Sequence, residues 1–319
     1  MTFRTQSKLD CSLYDSDDDI LRSFPFPVRI GHSEYFDSSF AEKLIENEIY
    51  RIVIQNEPLL PLTFFCLKHL TYFGIFNSGI IPYSNNDADY QFPSEIERLP
   101  LLASIVITNT KITQLPEEFS KLKHLWSLEM HNTGLIKLPE TFGNLTSLEF
   151  LRLNNNSFVS LPKSISNIET FNMVILDDNS QLRSLQSFNG IRNLKHLYAR
   201  NCIIDRIPYN MPDLCYLLLW TNNITNLNGI ETLDYNTNES KTFVFNANRI
   251  NSIPPEIRYV RKLHTLALAH NQLTYLPMEI FQIDTLAVLD IVNNSFSTNE
   301  LNRIIQTFKM THPNLILRY

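Results

Sequence analysis

The spacing of apolar residues along this chain leaves few ways to bury them. An eleven-residue pattern, L-x-x-L-x-L-x-x-N-x-L, recurs at a nearly fixed step and is clearest in LEFLRLNNNSF (148–158), LCYLLLWTNNI (214–224) and LHTLALAHNQL (263–273). Aligned on the first position, the copies start at Ile49, Leu70, Leu102, Leu125, Leu148, Phe171, Leu194, Leu214, Ser240, Leu263 and Leu286. The steps are 21, 32, 23, 23, 23, 23, 20, 26, 23 and 23 residues. A period in this range signals a solenoid, in which each unit buries its apolar edge only against its neighbours.

One unit, LWSLEMHNTGLIKLPETF (125–142), shows the physics. Leu128 and Met130 alternate with Ser127, Glu129 and His131, the period of two that marks a strand with one buried face. Leu125, Leu135 and Leu138 join the same core. Pro139 then removes a backbone donor and ends sheet pairing, so the chain turns away. Phe142 and Leu145 dip back inside before the next strand. Stacked units therefore give an α/β solenoid: a curved horseshoe with a parallel sheet on its concave face and short helical, 3-10 or irregular segments on its convex side.

The ninth position carries a second signal. Asn156, Asn179, Asn222, Asn248, Asn271 and Asn294 occupy it, and Cys202 takes it in its own unit. A buried amide there can bond backbone groups of adjacent turns and form a ladder. Cys is small and tolerates burial, so Cys202 reads as structural. The first four units carry Glu57, Ser78, Thr110 and Thr133 instead, so the ladder decays toward the N-terminus.

These residues resemble the leucine-rich repeat family over about residues 49–297, in 10–11 repeats. The continuation LPxx(F/I)xxL at 115–122, 138–145, 161–168 and 276–283 is similar to the 23-residue subtype of intracellular Ras-group scaffolds and bacterial relatives. The segments 185–191 and 227–233 lack the proline. The resemblance implies a non-catalytic scaffold that binds a partner protein in signalling, with a small GTPase or a phosphatase as implied partner classes. It also leaves a bacterial effector acting on a host protein as an alternative.

Charge and cysteine content narrow the setting. The net charge is −6, and residues 1–48 hold ten acids against five bases, so most of the excess sits there. The repeats are nearly neutral and carry no basic stripe, which argues against nucleic acid. No signal-peptide pattern opens the chain and no apolar run approaches the ~20 residues of a membrane helix. Cys11, Cys66, Cys202 and Cys215 are scattered rather than clustered, which favours a reduced cytoplasmic setting and a monomer.

The domain plan has four parts. Residues 1–38 read as an acidic, partly disordered segment; the run Asp15 to Asp19 fails as a calcium loop because Ile20 and Phe26 stand where Gly and Glu are needed. Ser39 and Glu42 form an S-x-x-E capping box, and Phe40, Leu44, Ile45 and Ile49 follow at helical spacing, so a capping helix is predicted over 39–48. The repeats fill 49–297, with a polar insertion at 82–90. Ser297 and Glu300 form a second capping box, predicting a helix and a last strand over 298–319.

A search for chemistry yields no catalytic set, cofactor or metal. His69, His124 and His196 come from the recurring Lys-His-Leu and belong to separate repeats. There is no HExxH, CxxC, GxSxG or phosphate loop, and only seven glycines. The pair Cys215 and His196 lies in adjacent repeats, one position out of register, which leaves a concave-face enzyme as a remote alternative. Function then rests on the variable positions 3, 5, 7 and 8, which are assigned to the concave surface. In repeats five to eight they concentrate aromatic and Arg side chains: Tyr198, Arg200, Tyr216 and Trp220, with Arg152 and Asp177 beside them. Trp, Tyr and Arg dominate interface hot spots, so these six residues are the candidate protein-binding patch.

Overall fold

Among the described residues, fourteen short strands stand side by side in the order in which the chain makes them. The computed structural model describes residues 9–31, 38–44, 48–80, 90–234 and 239–319; the predicted 82–90 insertion, except Tyr90, lies outside them. The strands are β1 (Arg29–Ile30), β2 (Phe40–Lys43), β3 (Ile49–Gln55), β4 (Tyr72–Phe76), β5 (Ser104–Thr108), β6 (Ser127–His131) and β7 (Phe150–Arg152). They continue as β8 (Met173–Ile175), β9 (His196–Tyr198), β10 (Tyr216–Leu218), β11 (Lys241–Val244), β12 (Leu263–Ala267), β13 (Val288–Asp290) and β14 (Ile316–Arg318). Neighbours pair in parallel except β2 and β3, which are antiparallel. The sheet is open, as a solenoid requires.

On the other wall, prolines do what their fixed φ prescribes. Pro93, Pro116, Pro139, Pro162, Pro254 and Pro277 sit in extended backbone, each just before a five-residue 3-10 turn. The apolar residue of each turn points inward: Ile96, Phe119, Phe142, Ile165, Ile257 and Ile280 are all fully buried. The turns pack so closely that a Cβ on Gly143 would lie 2.0 Å from the Ser164 carbonyl oxygen. Between β9 and β10 the chain makes no 3-10 turn at all, because that repeat is the short one.

The ninth-position asparagines work across repeats. Asn179 is fully buried; its amide nitrogen donates to Leu153 O and Leu176 O at 3.0 and 2.7 Å, and its oxygen accepts from Phe158 N at 3.3 Å. Asn156, Asn222, Asn248, Asn271 and Asn294 repeat the scheme. Cys202 substitutes a thiol 3.6 Å from Leu176 O. The N-terminal units do not abandon this row. Hydroxyls continue it: Thr133 Oγ1 donates to Asn156 Oδ1, Ser78 N donates to Thr110 Oγ1, and Glu57 N donates to Ser78 Oγ.

Four expectations are corrected. The capping helix expected over 39–48 is not formed by the described residues there: Phe40–Lys43 are strand β2, paired antiparallel with β3, and residues 45–47 lie outside the described ones. The supposed capping pair is used across these two strands. Ser39 Oγ accepts from Gln55 N and donates to Glu57 Oε1, while Glu42 accepts from the Tyr50 hydroxyl at 2.6 Å. The acidic run is ordered: Ser16 caps α1 (Asp17–Arg22), Asp17 accepts from Ile49 N at 2.7 Å, and Asp18 pairs with Lys43 at 2.5 Å. Ile20, Leu21, Phe24 and Phe26 are buried against the first repeats. Cys11 and Cys66 form a disulfide, so the cysteines no longer argue for a reduced compartment. Finally, Ser240 is exposed, and Lys241 fills the leucine slot through an irregularity in the β11–β12 pairing.

At the far end, Ser297 Oγ accepts from Glu300 N and caps α2 (Thr298–Thr311). Ile304 and Phe308 are buried, the latter 4.5 Å from the Phe281 ring. Among the described residues no helix is long and apolar enough to cross a membrane.

Candidate binding surface on the concave sheet

Strand register decides which variable side chains meet. In β9 and β10, Tyr216 pairs with His196 and Leu218 with Tyr198. The rings of His196 and Tyr216 stack at 4.8 Å with planes 10° apart. The Tyr198 hydroxyl lies 3.3 Å from His196 Nδ1, and burial pushes the His196 pKa down, so the imidazole is neutral at pH 7. One turn further along the strands, the Arg200 guanidinium lies 5.4 Å from the Trp220 ring centre, within cation–π range. Trp220 and Tyr216 are 42% and 40% exposed.

Arg200 is fixed from below. Asp177, 1% exposed, accepts from Arg200 N at 2.7 Å and Arg200 Nε at 2.8 Å, and its Oδ2 lies 2.6 Å from a terminal guanidinium nitrogen. The hydrogen bond to Asp177 holds the Arg200 pKa above its usual value. Asp177 is thus a positioning residue with no face left for a partner. Arg152 stands two strands away on β7 and turns toward Glu129 on β6, 3.3 Å distant. Of the six candidates, Tyr198, Arg200, Tyr216 and Trp220 come together. His196 and Leu218 complete the patch, and the period-2 alternation of their strands already marked them as outward-facing.

The eighth position belongs elsewhere. Asn155, Asp178, Asn201, Thr221, Ala247, His270 and Asn293 all have left-handed backbone, with φ between 53° and 61°. Asn and Asp tolerate this region best among residues with a side chain. Many of these side chains bond to each other along the stack: Asn109 to Asn77, Asn132 to Asn109, Asn155 to Asn132, and Asn201 to Asp178, at 2.8–3.1 Å. They form a second, exposed ladder along the stack.

The cysteine–histidine pair does not assemble. Cys215 Sγ turns to Asp213 O and Glu239 Oε2, at 3.2 and 3.3 Å, while His196 engages the two tyrosines. Burial and the Glu239 carboxylate push the Cys215 thiol up to about 11, and burial pushes Cys202 to about 12. Neither is a nucleophile at neutral pH. A maleimide at pH 7 is therefore expected to leave both unlabelled in the native protein; labelling of either before unfolding would contradict this. Among the described residues, no group of three or more His, Cys, Asp or Glu side chains could hold a metal ion.

Comparison with known proteins agrees with this architecture. Residues 81–245 match the family model for a leucine-rich repeat region. A curated relative, the probable inactive serine/threonine-protein kinase roco10 of Dictyostelium discoideum, is 30% identical over 126 residues. The match takes in 39% of this chain but only 4% of that protein. Among solved structures, a chain of the octameric complex of Latrophilin 3, Unc5D and FLRT2 (LRR) aligns with TM-score 0.66 at 16% identity, over 83% of this chain and 82% of that one. An internalin from Listeria monocytogenes aligns with TM-score 0.58 at 18% identity, over 84% and 79%. At such identities the likeness concerns the fold.

Proposed function

Because the chain belongs to the leucine-rich repeat family, whose fold generally serves as a non-catalytic interaction scaffold, we propose that it binds a partner protein on its concave sheet, centred on Tyr198, Arg200, Tyr216 and Trp220. The observation that carries this reading is a pair of half-exposed aromatics beside a pre-positioned guanidinium. Arg200 is already fixed by Asp177, so little side-chain freedom is lost when a partner docks on it. Tyr216, braced by His196, and Trp220, beside Arg200, can bury large areas at the same low entropic cost. Leu218 and Val244 extend the patch toward β11 as a shallow apolar floor. No step of chemistry is assigned to it.

The test is a quantitative capture experiment with the wild type and the Trp220→Ala/Arg200→Ala variant. A small GTPase and a phosphatase, the partner classes implied by the family resemblance, are offered alongside the lysate of the source cells. Each hot-spot truncation is expected to weaken binding by about 2 kcal/mol, roughly thirtyfold in Kd. Circular dichroism confirms that the variant is folded. Equal recovery of every wild-type partner by the folded variant would remove the patch from consideration.

A further inference from the structure

We propose that the Cys11–Cys66 disulfide is a reducible latch that pins one short arm, residues 9–15, across the convex side of the first two repeats. The arm and the helix that follows it are held by different means. From Ser16 onward attachment does not depend on sulfur: Asp17 takes the Ile49 amide, Asp18 pairs with Lys43, Ser23 bonds Thr63, and Ile20, Leu21, Phe24 and Phe26 are buried. The arm has no comparable anchorage. Leu9, Cys11 and Tyr14 are only partly buried, Leu13 is 74% exposed, and the Asp10–Ser12 hydrogen bonds stay within the arm. What ties it to the solenoid is the disulfide to Cys66, at the end of the 3-10 turn Leu62–Cys66, and Arg98 from the next turn.

Arg98 makes the latch openable. One guanidinium nitrogen lies 3.5 Å from Cys11 Sγ and another donates to Leu9 O at 3.3 Å. Of the two sulfur-bearing residues, Cys66 is buried and Cys11 is partly exposed, so a small external thiol reaches Cys11 first. Its thiolate attacks Cys11 Sγ, the S–S bond breaks, and Cys66 leaves as a thiolate that takes a proton. A second thiol attacks the mixed disulfide at the external sulfur and releases Cys11. Two external thiols are oxidised to their disulfide and two cysteines are reduced. The Cys11 thiolate emerges beside a fixed positive charge, which stabilises it and so favours the open state. Opening releases the arm from Cys66 and leaves Arg98 as its remaining tie, so residues 9–15 loosen while the helix stays docked.

Hydrogen exchange on the full-length protein tests the latch, in oxidised form and in a reduced-to-oxidised glutathione series. Reduction is expected to raise exchange in residues 9–15 and leave 17–26 unchanged, with iodoacetamide then labelling Cys11 and Cys66 but not Cys202 or Cys215. At a pH well above the thiol pKa, where the thiolate is the dominant form, Arg98→Leu is expected to shift the reduction midpoint about tenfold toward more reducing glutathione ratios, the equivalent of one pKa unit on the released thiolate. Cys11→Ser reproduces the open arm without any reductant and checks that sulfur is what holds it. The idea fails if 9–15 stays protected after complete reduction, if 17–26 detaches together with it, or if Arg98→Leu leaves the midpoint where it was.

Discussion

Replacing Lys241 by leucine, the residue its slot has in most other repeats, is expected to destabilise the protein. The side chain is fully buried, and its ammonium donates to Leu214 O at 2.8 Å and Leu233 O at 3.1 Å. It lies 3.8 Å from the carboxylate of Asp234, itself 1% exposed. Leucine would fill the space but strand two carbonyls and a buried charge. Breaking a buried pair from one side costs about 3–5 kcal/mol, which lowers Tm by roughly 5–7 °C for a chain of this size. Burial pushes the Lys241 pKa down and the Asp234 pKa up. The signs agree: a lysine lowered in the folded state gains stability as pH rises through its folded pKa, and an aspartate raised there loses it. Ionisation of either group therefore opposes folding. The double variant Lys241→Leu/Asp234→Leu should recover most of the loss in thermal melts. A single variant as stable as the wild type would show that the pair is not coupled to the core.

A second large effect separates the two asparagine rows. Asn179→Ala removes one donor each from Leu153 O, which keeps Asn156, and from Leu176 O, which keeps the Cys202 thiol, and it takes away the acceptor of Phe158 N. With about 1 kcal/mol for each of the two lost carbonyl bonds and about 1–3 kcal/mol for the unsatisfied amide, a loss of about 3 kcal/mol is expected by urea denaturation. Asn155 offers the contrast. It is exposed, has φ of 53° and bonds Asn132 through one amide. Glycine accepts that backbone without strain, so Asn155→Gly is expected to stay within about 0.5 kcal/mol of wild type. Equal losses at the two sites would mean that the inner row does not carry the backbone bookkeeping described above.

The repeated part of the fold was legible because each leucine is checked by its neighbours. An error in one unit would break the step of the next, so strand starts could be read from spacing alone. The ends lack that redundancy. Ser39 and Glu42 satisfy the local rule for a helix start as well as Ser297 and Glu300 do, yet only the second pair caps a helix. At the first, Phe40, Ala41 and Glu42 are all buried, and the sheet edge of β3 offers partners that a helix could not use. Lys241 escaped for a similar reason. Nothing in the sequence distinguishes a lysine that enters the core from one that follows an exposed serine; the missing residue in β11 makes the difference.

At the candidate site, residue type was legible and pairing was not. Aromatic and Arg side chains at outward positions pointed to β9, β10 and the residues just after them, where Tyr198, Arg200, Tyr216 and Trp220 lie near one another. Asp177 looked like one more surface charge, because burial beneath Arg200 depends on the rotamer and the local depth of the sheet. The eighth position failed for a backbone reason. Its left-handed φ turns the side chain away from the sheet, and only the frequency of Asn there hinted at it.

The absent 3-10 turn between β9 and β10 has a mechanical side. A curved stack behaves as a bent beam, its inner wall set by hydrogen bonds and its outer wall by spacers. Where one spacer is missing, the outer wall offers less resistance to compression and the stack is most compliant there. That point lies directly behind Tyr198 and Tyr216. A change in the curvature of the horseshoe is therefore expected to concentrate at these strands rather than at a hinge loop.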